Sequence, residues 1–275
     1  MTDFATPADI IAGLAYCVNA GFSQDLSKTS ITVGAGYDYS GWLASGNPVA
    51  GAIPGITWVV PTAATLGALN PRYINGASTA TCRILFAALR PSVANQPIII
   101  YDRVGHVGGK DGSLSTAQTI GATLTAPAAD KRCEAGGGDV EWWMEIYTAL
   151  GSTGVNATFA VTYSDNSTGN VVSAVPASVP LGRMIRIPPS SANLSIKAIS
   201  TVTLSATTGS VGNFGVTACE RKMQFSVPTA NTDWVADWAT LGFPDIGLNA
   251  CLNFRCFATS SALGTLTGNF KAGVK

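Results

Sequence analysis

The sequence predicts a mainly β protein: an antiparallel, jelly-roll-like β-sandwich with a short N-terminal helix and extended arms. Three observations lead there. From about residue 80 onward, short runs rich in Val, Ile, Thr and aromatic residues alternate with turn clusters such as "SDNSTGN" and "TTGSVGN", the pattern of hairpin-connected strands. Glycine is abundant, at 30 residues, as in loop-rich β proteins. Charged residues make up only 12% of the chain, about half the usual share. Charge keeps free proteins apart in solution, so so weakly charged a chain suits a subunit that buries its exterior in an assembly.

The elements follow in chain order. In "TPADIIAGLAYCVNAG", Thr6 is a suitable N-cap, Pro7 fits the first helical position and Asp9 complements the helix dipole. Ile10, Ile11, Leu14, Ala15 and Val18 keep the 3.6-residue period, and Gly21 closes the helix. Residues 22–80 are irregular and rich in Gly, Pro and Ala, with "GYDYSGWLASGNPVAGAIPG" at the extreme. So long a structureless stretch is unusual inside a compact domain, so it reads as an arm ordered by contacts with other chains. Strands are then expected at "CRILFAAL", "PIIIYDRV", "QTIGATLTA", "VEWWMEIYTAL", "ATFAVTYS", "NVVSAVPA", "RMIRIPP", "SIKAISTVTLSA" and "NFGVTACERK". The end of the chain offers a short helical turn in "NTDWVADWATLGFP" and a tail bearing Cys and Phe. The expected organisation is residues 1–80 as helix and arm, 81–220 as the sandwich, and 221–275 as a C-terminal extension.

The 275-residue chain is long enough for a sizeable core. Sixteen basic residues balance sixteen acidic ones, so no global field draws specific nucleic acid or an anionic membrane. No secretory signal is expected at the start, and no apolar run approaches the roughly 20 residues needed to cross a bilayer. The six cysteines lack a CxxC pair and there is one histidine, His106, so neither a zinc site nor another cofactor is expected. Two readings of the cysteines stay open. They are buried free thiols of a protein made in a reducing cytoplasm, or some form disulfides after assembly, between subunits or within the pair Cys251 and Cys256.

The stretch "VEWWMEIYTAL" places Glu141 and Glu145 among Trp142, Trp143 and Tyr147, the residue types of a glycosidase site. On a strand, Val140, Trp142, Met144 and Ile146 share one face, and Glu141, Trp143, Glu145 and Tyr147 the other. The two glutamate backbones are then roughly 13 Å apart at about 3.3 Å per residue, whereas a glycosidase pair needs about 5–9.5 Å between carboxyl groups. The bracketing "GGGD" and "ALGSTG" favour the strand, which removes the catalytic dyad. The apolar face belongs inside; the second face belongs on a surface or an interface, where aromatic residues concentrate.

Other motifs lack specificity. No GxSxG elbow occurs. Asp102, Arg103 and His106 invite an acid–base reading, but a strand running into a loop accounts for them equally. "GHVGGKDGS" lacks the spacing of a phosphate loop.

The stretches "PIIIYDRVGHVGGKDGSLSTAQTIGATLTA" and "VEWWMEIYTALGSTGVNATFAVTYSDNSTGN" resemble a family of tailed-bacteriophage virion structural proteins. The upstream "YSGWLASGNPVAGAIPG" is similar to that family's Gly/Pro-rich arm, and the late strand "VTLSATTGSVGNFGV" matches as well. The resemblance spans roughly residues 35–220 and rests on structural motifs. It implies a non-enzymatic protein that decorates or cements a capsid, made in the bacterial cytoplasm and resident in the virion. Its partners would be copies of itself, a trimer being one arrangement, and other virion proteins such as the major capsid protein. Six cysteines and a longer tail depart from the family pattern. The expected interface anchors are Trp42, Trp58, Trp143 and Tyr147. The alternative is a receptor- or glycan-binding module, or a collar or tail protein, with the Trp143 face gripping a sugar ring.

Overall fold

A computed structural model describes residues 23–29, 33–69, 82–125, 140–190, 194–242, 244–247, 249–261 and 264–274, together with Thr6 and Ala8. Apart from Thr6 and Ala8, the N-terminal helix expected over residues 6–21 lies outside these residues. Among the described residues, sixteen strands run in chain order as β1 (Ser23–Lys28), β2 (Tyr37–Ser40), β3 (Gly46–Asn47), β4 (Cys82–Pro91), β5 (Gln96–Lys110), β6 (Gln118–Thr123), β7 (Val140–Thr148) and β8 (Val155–Tyr163). They continue as β9 (Thr168–Val175), β10 (Arg183–Ile187), β11 (Ile196–Leu204), β12 (Asn213–Val227), β13 (Trp234–Asp237), β14 (Asp245–Ile246), β15 (Leu252–Ala258) and β16 (Leu266–Val274). A short helix, α1 (Trp238–Leu241), follows β13. All nine expected strands are present, and the helical turn expected near residue 238 is α1 preceded by a strand.

Every ladder between these strands is antiparallel. Their arrangement is a barrel with two sheets, where a single jelly-roll sandwich was expected. Strands β10, β2, β15, β5, β12 and β7 close into a ring in that order. A second sheet has the order β13-β4-β16-β1-β3 with β14 on β4, and a third the order β6-β11-β8-β9.

Each flanking sheet packs on the outside of the barrel, so sandwich packing occurs twice. Trp142, Met144 and Ile146 of β7, with Phe214 and Val216 of β12, bury against Phe159 and Val161 of β8 and Ile199 and Val202 of β11. On the other side, Ile98 and Ile100 of β5, Phe225 and Val227 of β12, and Phe254 of β15 meet Leu26, Ile84, Leu89 and Phe270. Strands β5 and β12 serve both cores because each is 15 residues long, roughly 50 Å at about 3.3 Å per residue. Their mutual ladder shifts register at Ala218/Cys219 and Arg221/Met223. Such bulges bend a strand pair, which lets one long ribbon follow two differently oriented cores.

The boundaries at 80 and 220 do not separate folding units. In the ring, β15 lies between β2 and β5, while β16 lies between β4 and β1. Strands from the expected arm and extension therefore complete the barrel and one sheet, and their removal would leave edges unpaired.

The irregular segment 41–69 is held by its own chain. Val59 and His106 exchange backbone hydrogen bonds at 3.0 and 2.9 Å, Gly108 N–H donates to Gly55 at 2.8 Å, and Leu69 N–H to Leu252 at 2.7 Å. The buried Lys28 amine donates to the carbonyls of Ala44 at 2.9 Å and Pro48 at 2.5 Å. Two glycines make the close approach possible. A Cβ at Gly105 would fall inside the Trp58 ring, and one at Gly51 inside the Trp42 ring. The "GHVGG" run in β5 is thus a seat for this segment.

Candidate functional site

Strands three places apart in a six-stranded ring can meet only through its lumen. Arg255 of β15 reaches Glu141 of β7 at 3.1 Å, and Met184 of β10 packs with Tyr101 of β5; both pairs lie on opposite walls. The barrel is therefore filled with side chains, and strand alternation assigns them. On β7, Trp142, Met144 and Ile146 point out to the flanking sheet, and Glu141, Trp143, Glu145 and Tyr147 point in.

The filling is layered. The central layer is Tyr101, Trp143, Met184 and Cys219, all buried. Beside it lies a polar layer in which Arg103 Nη2 pairs with Glu145 Oε2 at 2.6 Å and donates to Tyr147 Oη at 2.9 Å and Thr217 Oγ1 at 3.1 Å. Tyr147 Oη–H and Thr217 Oγ1–H donate to the same carboxylate oxygen at 3.0 and 2.5 Å. Arg103 is 0% and Glu145 1% exposed. Desolvating two such ions costs several kcal/mol each, which mutual attraction offsets only when hydrogen bonds fill the remaining positions. Here they do. Burial alone would raise the Glu145 carboxyl, but the Arg103 charge and the hydrogen bonds from Arg103 and Thr217 outweigh it and hold it below its ordinary value.

Segment 41–69 plugs this end of the barrel. The Trp42 ring stacks on the Arg103 guanidinium at 4.4 Å and meets His106 edge-on at 5.4 Å. Arg103 Nε–H donates to His106 Nδ1 at 2.7 Å. Burial, and then the Arg103 charge, push the His106 imidazole down to about 2, so it is neutral with its proton on Nε2.

The opposite end is open to solvent and carries an ionic collar. Glu141 Oε1 accepts from Arg186 at 2.8 Å and Arg221 at 3.0 Å, and Arg255 Nε lies 3.6 Å from Asp38. The guanidiniums of Arg255 and Arg186 lie 4.0 and 5.2 Å from the Trp143 ring. Burial would raise the Glu141 carboxyl; the arginines, led by Arg186 and Arg255, overcome this and lower it. Burial raises the Asp38 carboxyl despite Arg255.

Several expectations are corrected by these positions. Trp42 and Tyr147 are 1% and Trp143 5% exposed. Their rings fill the plug and the lumen of their own subunit and are not presented to a neighbour or a sugar. The second face of "VEWWMEIYTAL" was expected outward, but barrel closure turned it in. Trp58 is half-buried, stacked on Trp142 with centroids 5.6 Å apart. Cys251 and Cys256 are free, buried thiols. Five residues apart along extended chain they are separated by roughly 16 Å, far beyond the ~7 Å Cα limit for a disulfide. Asp102, Arg103 and His106 sit within β5, which continues to Lys110, not at a strand end. Asp102 accepts the Cys251 backbone N–H at 2.8 Å. Residues that sequence reasoning missed include Arg186, Arg221 and Arg255; for Arg186 and Arg255 the signal available was their place among apolar neighbours in "RMIRI" and "LNFRCF".

Among the described residues, no helix is long and apolar enough to cross a membrane, and no cluster of three or more His, Cys, Asp or Glu is placed to hold a metal. No family model matches the chain, and no curated protein matches it. A solved structure of the infectious bursal disease virus Gt strain aligns over 92% of this chain and 80% of that chain, at 9% identity and a TM-score of 0.16. The VP2 subviral particle of infectious bursal disease virus aligns over the same shares at 10% identity and a TM-score of 0.18. TM-scores this low assign neither fold nor function.

Proposed function

We propose that the chain is a non-enzymatic structural protein of a virus particle, packing against copies of itself and other particle proteins and, in the finer reading, decorating or cementing a phage head. The observation that carries it is an apolar ridge on segment 41–69. Val49, Ile53, Ile56, Val59, Val60 and Leu66 are all exposed, Ile56 at 73% and Leu66 at 64%. The backbone beneath them is pinned to the barrel by the Val59–His106, Gly108–Gly55 and Leu69–Leu252 hydrogen bonds. Exposed apolar side chains on a fixed backbone form a preorganised contact surface, because little ordering entropy is lost on binding. The low charge content and the resemblance of residues 35–220 to virion proteins support the same reading.

The test is the double variant Ile56→Asp/Leu66→Asp. It is expected to keep the wild-type circular dichroism spectrum and thermal midpoint, since neither side chain is in the core, and to lose self-association in sedimentation and incorporation into particles. Incorporation at the wild-type level would remove the ridge as the contact.

A further inference from the structure

We infer that the open end of the barrel binds a compact oxyanion, of phosphate or carboxylate chemistry, held by Arg186 and Arg221 above the Trp143 ring. Charge is unbalanced there: Arg186, Arg221 and Arg255 converge on Glu141, with Asp38 as the second carboxylate. Three cations thus face two anions. The three arginines also differ in role. Arg255 is 5% exposed and spans the lumen, whereas Arg186 and Arg221 are 39% and 48% exposed and share the single oxygen Glu141 Oε1.

A guanidinium carries five N–H donors in a planar fork suited to bidentate oxyanions. Besides Glu141, Arg221 donates to Gln224 at 3.1 Å, and Arg186 lies over Trp143. That leaves donors of both arginines facing solvent. Trp143 supplies the independent observation: it is 5% exposed, and its indole N–H is buried without a partner. A collar of guanidinium donors with excess positive charge, beside a tryptophan whose buried indole N–H has no partner, calls for an acceptor bearing negative charge. The ligand must be small, because the Tyr101, Met184 and Cys219 layer fills the lumen with Trp143.

The experiment uses the full chain and compares thermal midpoints in phosphate, acetate and chloride at equal ionic strength. The expected result is a midpoint about 3 °C higher at ten times the dissociation constant of the bound anion. The rise should vanish in Arg186→Gln/Arg221→Gln. A rise in phosphate alone assigns a phosphate-type ligand, in acetate alone a carboxylate, and in both any compact oxyanion. A second readout needs no charge variant: the Trp143 indole 15N–1H resonance, identified with Trp143→Phe, should move on titration with the same salt. Midpoints no higher than in chloride, an equal rise in the double variant, or a stationary Trp143 resonance would each overturn the inference.

Discussion

Lowering the pH from 7 to 5 tests the plugged end of the barrel through the one histidine of the chain. His106 Nδ1 accepts the Arg103 Nε–H, and a protonated imidazole has no acceptor to offer. In the folded protein its value is pushed from 6.5 down to about 2, so it stays neutral across this range while the unfolded chain takes up a proton. The unfolded state then binds more protons, and stability must fall as pH falls below 6.5. At about 1.36 kcal/mol per pH unit, the loss between pH 7 and pH 5 is about 2 kcal/mol. That corresponds to roughly 4–8 °C in the thermal midpoint. Urea denaturation at pH 7, 6 and 5 measures it directly. His106→Gln keeps an acceptor for Arg103 and does not titrate, so its stability should lack this component. The raised Asp38 carboxyl works in the opposite sense but equally in both proteins, so the difference isolates His106. An imidazole that titrates near 6.5 by NMR in the folded protein would refute the reasoning, as would an equal acid loss in the variant.

Arg103→Met leaves the buried Glu145 without its cation and should cost about 3–5 kcal/mol in urea denaturation; adding Glu145→Gln should recover a large part, and no recovery would contradict the pairing. Gly105→Ala forces a Cβ into the Trp58 ring and should destabilise by about 1–3 kcal/mol, with a shift in tryptophan emission that Gly55→Ala, which meets open space, does not share. Cys219, Cys251 and Cys256 are buried, and burial raises the thiols of Cys219 and Cys256. Peptide mapping after iodoacetamide should find all three unmodified in native protein and modified in urea; native labelling would show that the barrel opens. Limited proteolysis should spare residues 41–69 in the free subunit, and early cuts there would mean that the segment needs a neighbour after all.

Strand existence was legible from the residues because alternation and turn chemistry are local. "ATFAVTYSDNSTGNVV" encodes both arms of a hairpin and the turn between them, and it folds as β8 and β9. The strands β1, β2, β3, β14, β15 and β16 escaped notice because their stability comes from distant partners, such as Ser23 opposite Lys271 or Tyr39 opposite Arg183. Nothing near them in the chain announces the pairing. Likewise the Gly/Pro composition of 41–69 marks irregular backbone, but not that Gly51 and Gly105 exist to seat tryptophans.

The sequence by itself determined the antiparallel β class, the nine central strands and the division of "VEWWMEIYTAL" into two faces, because each follows from the period-2 geometry of one strand. Only the tertiary structure decided which of those faces is enclosed. A strand has two sides, and closure of six of them into a ring gives the second side an interior of its own. That enclosure turned Trp143, Glu145 and Tyr147 from a presumed contact surface into the filling of a barrel, with Arg103 supplied from 42 residues earlier in the chain.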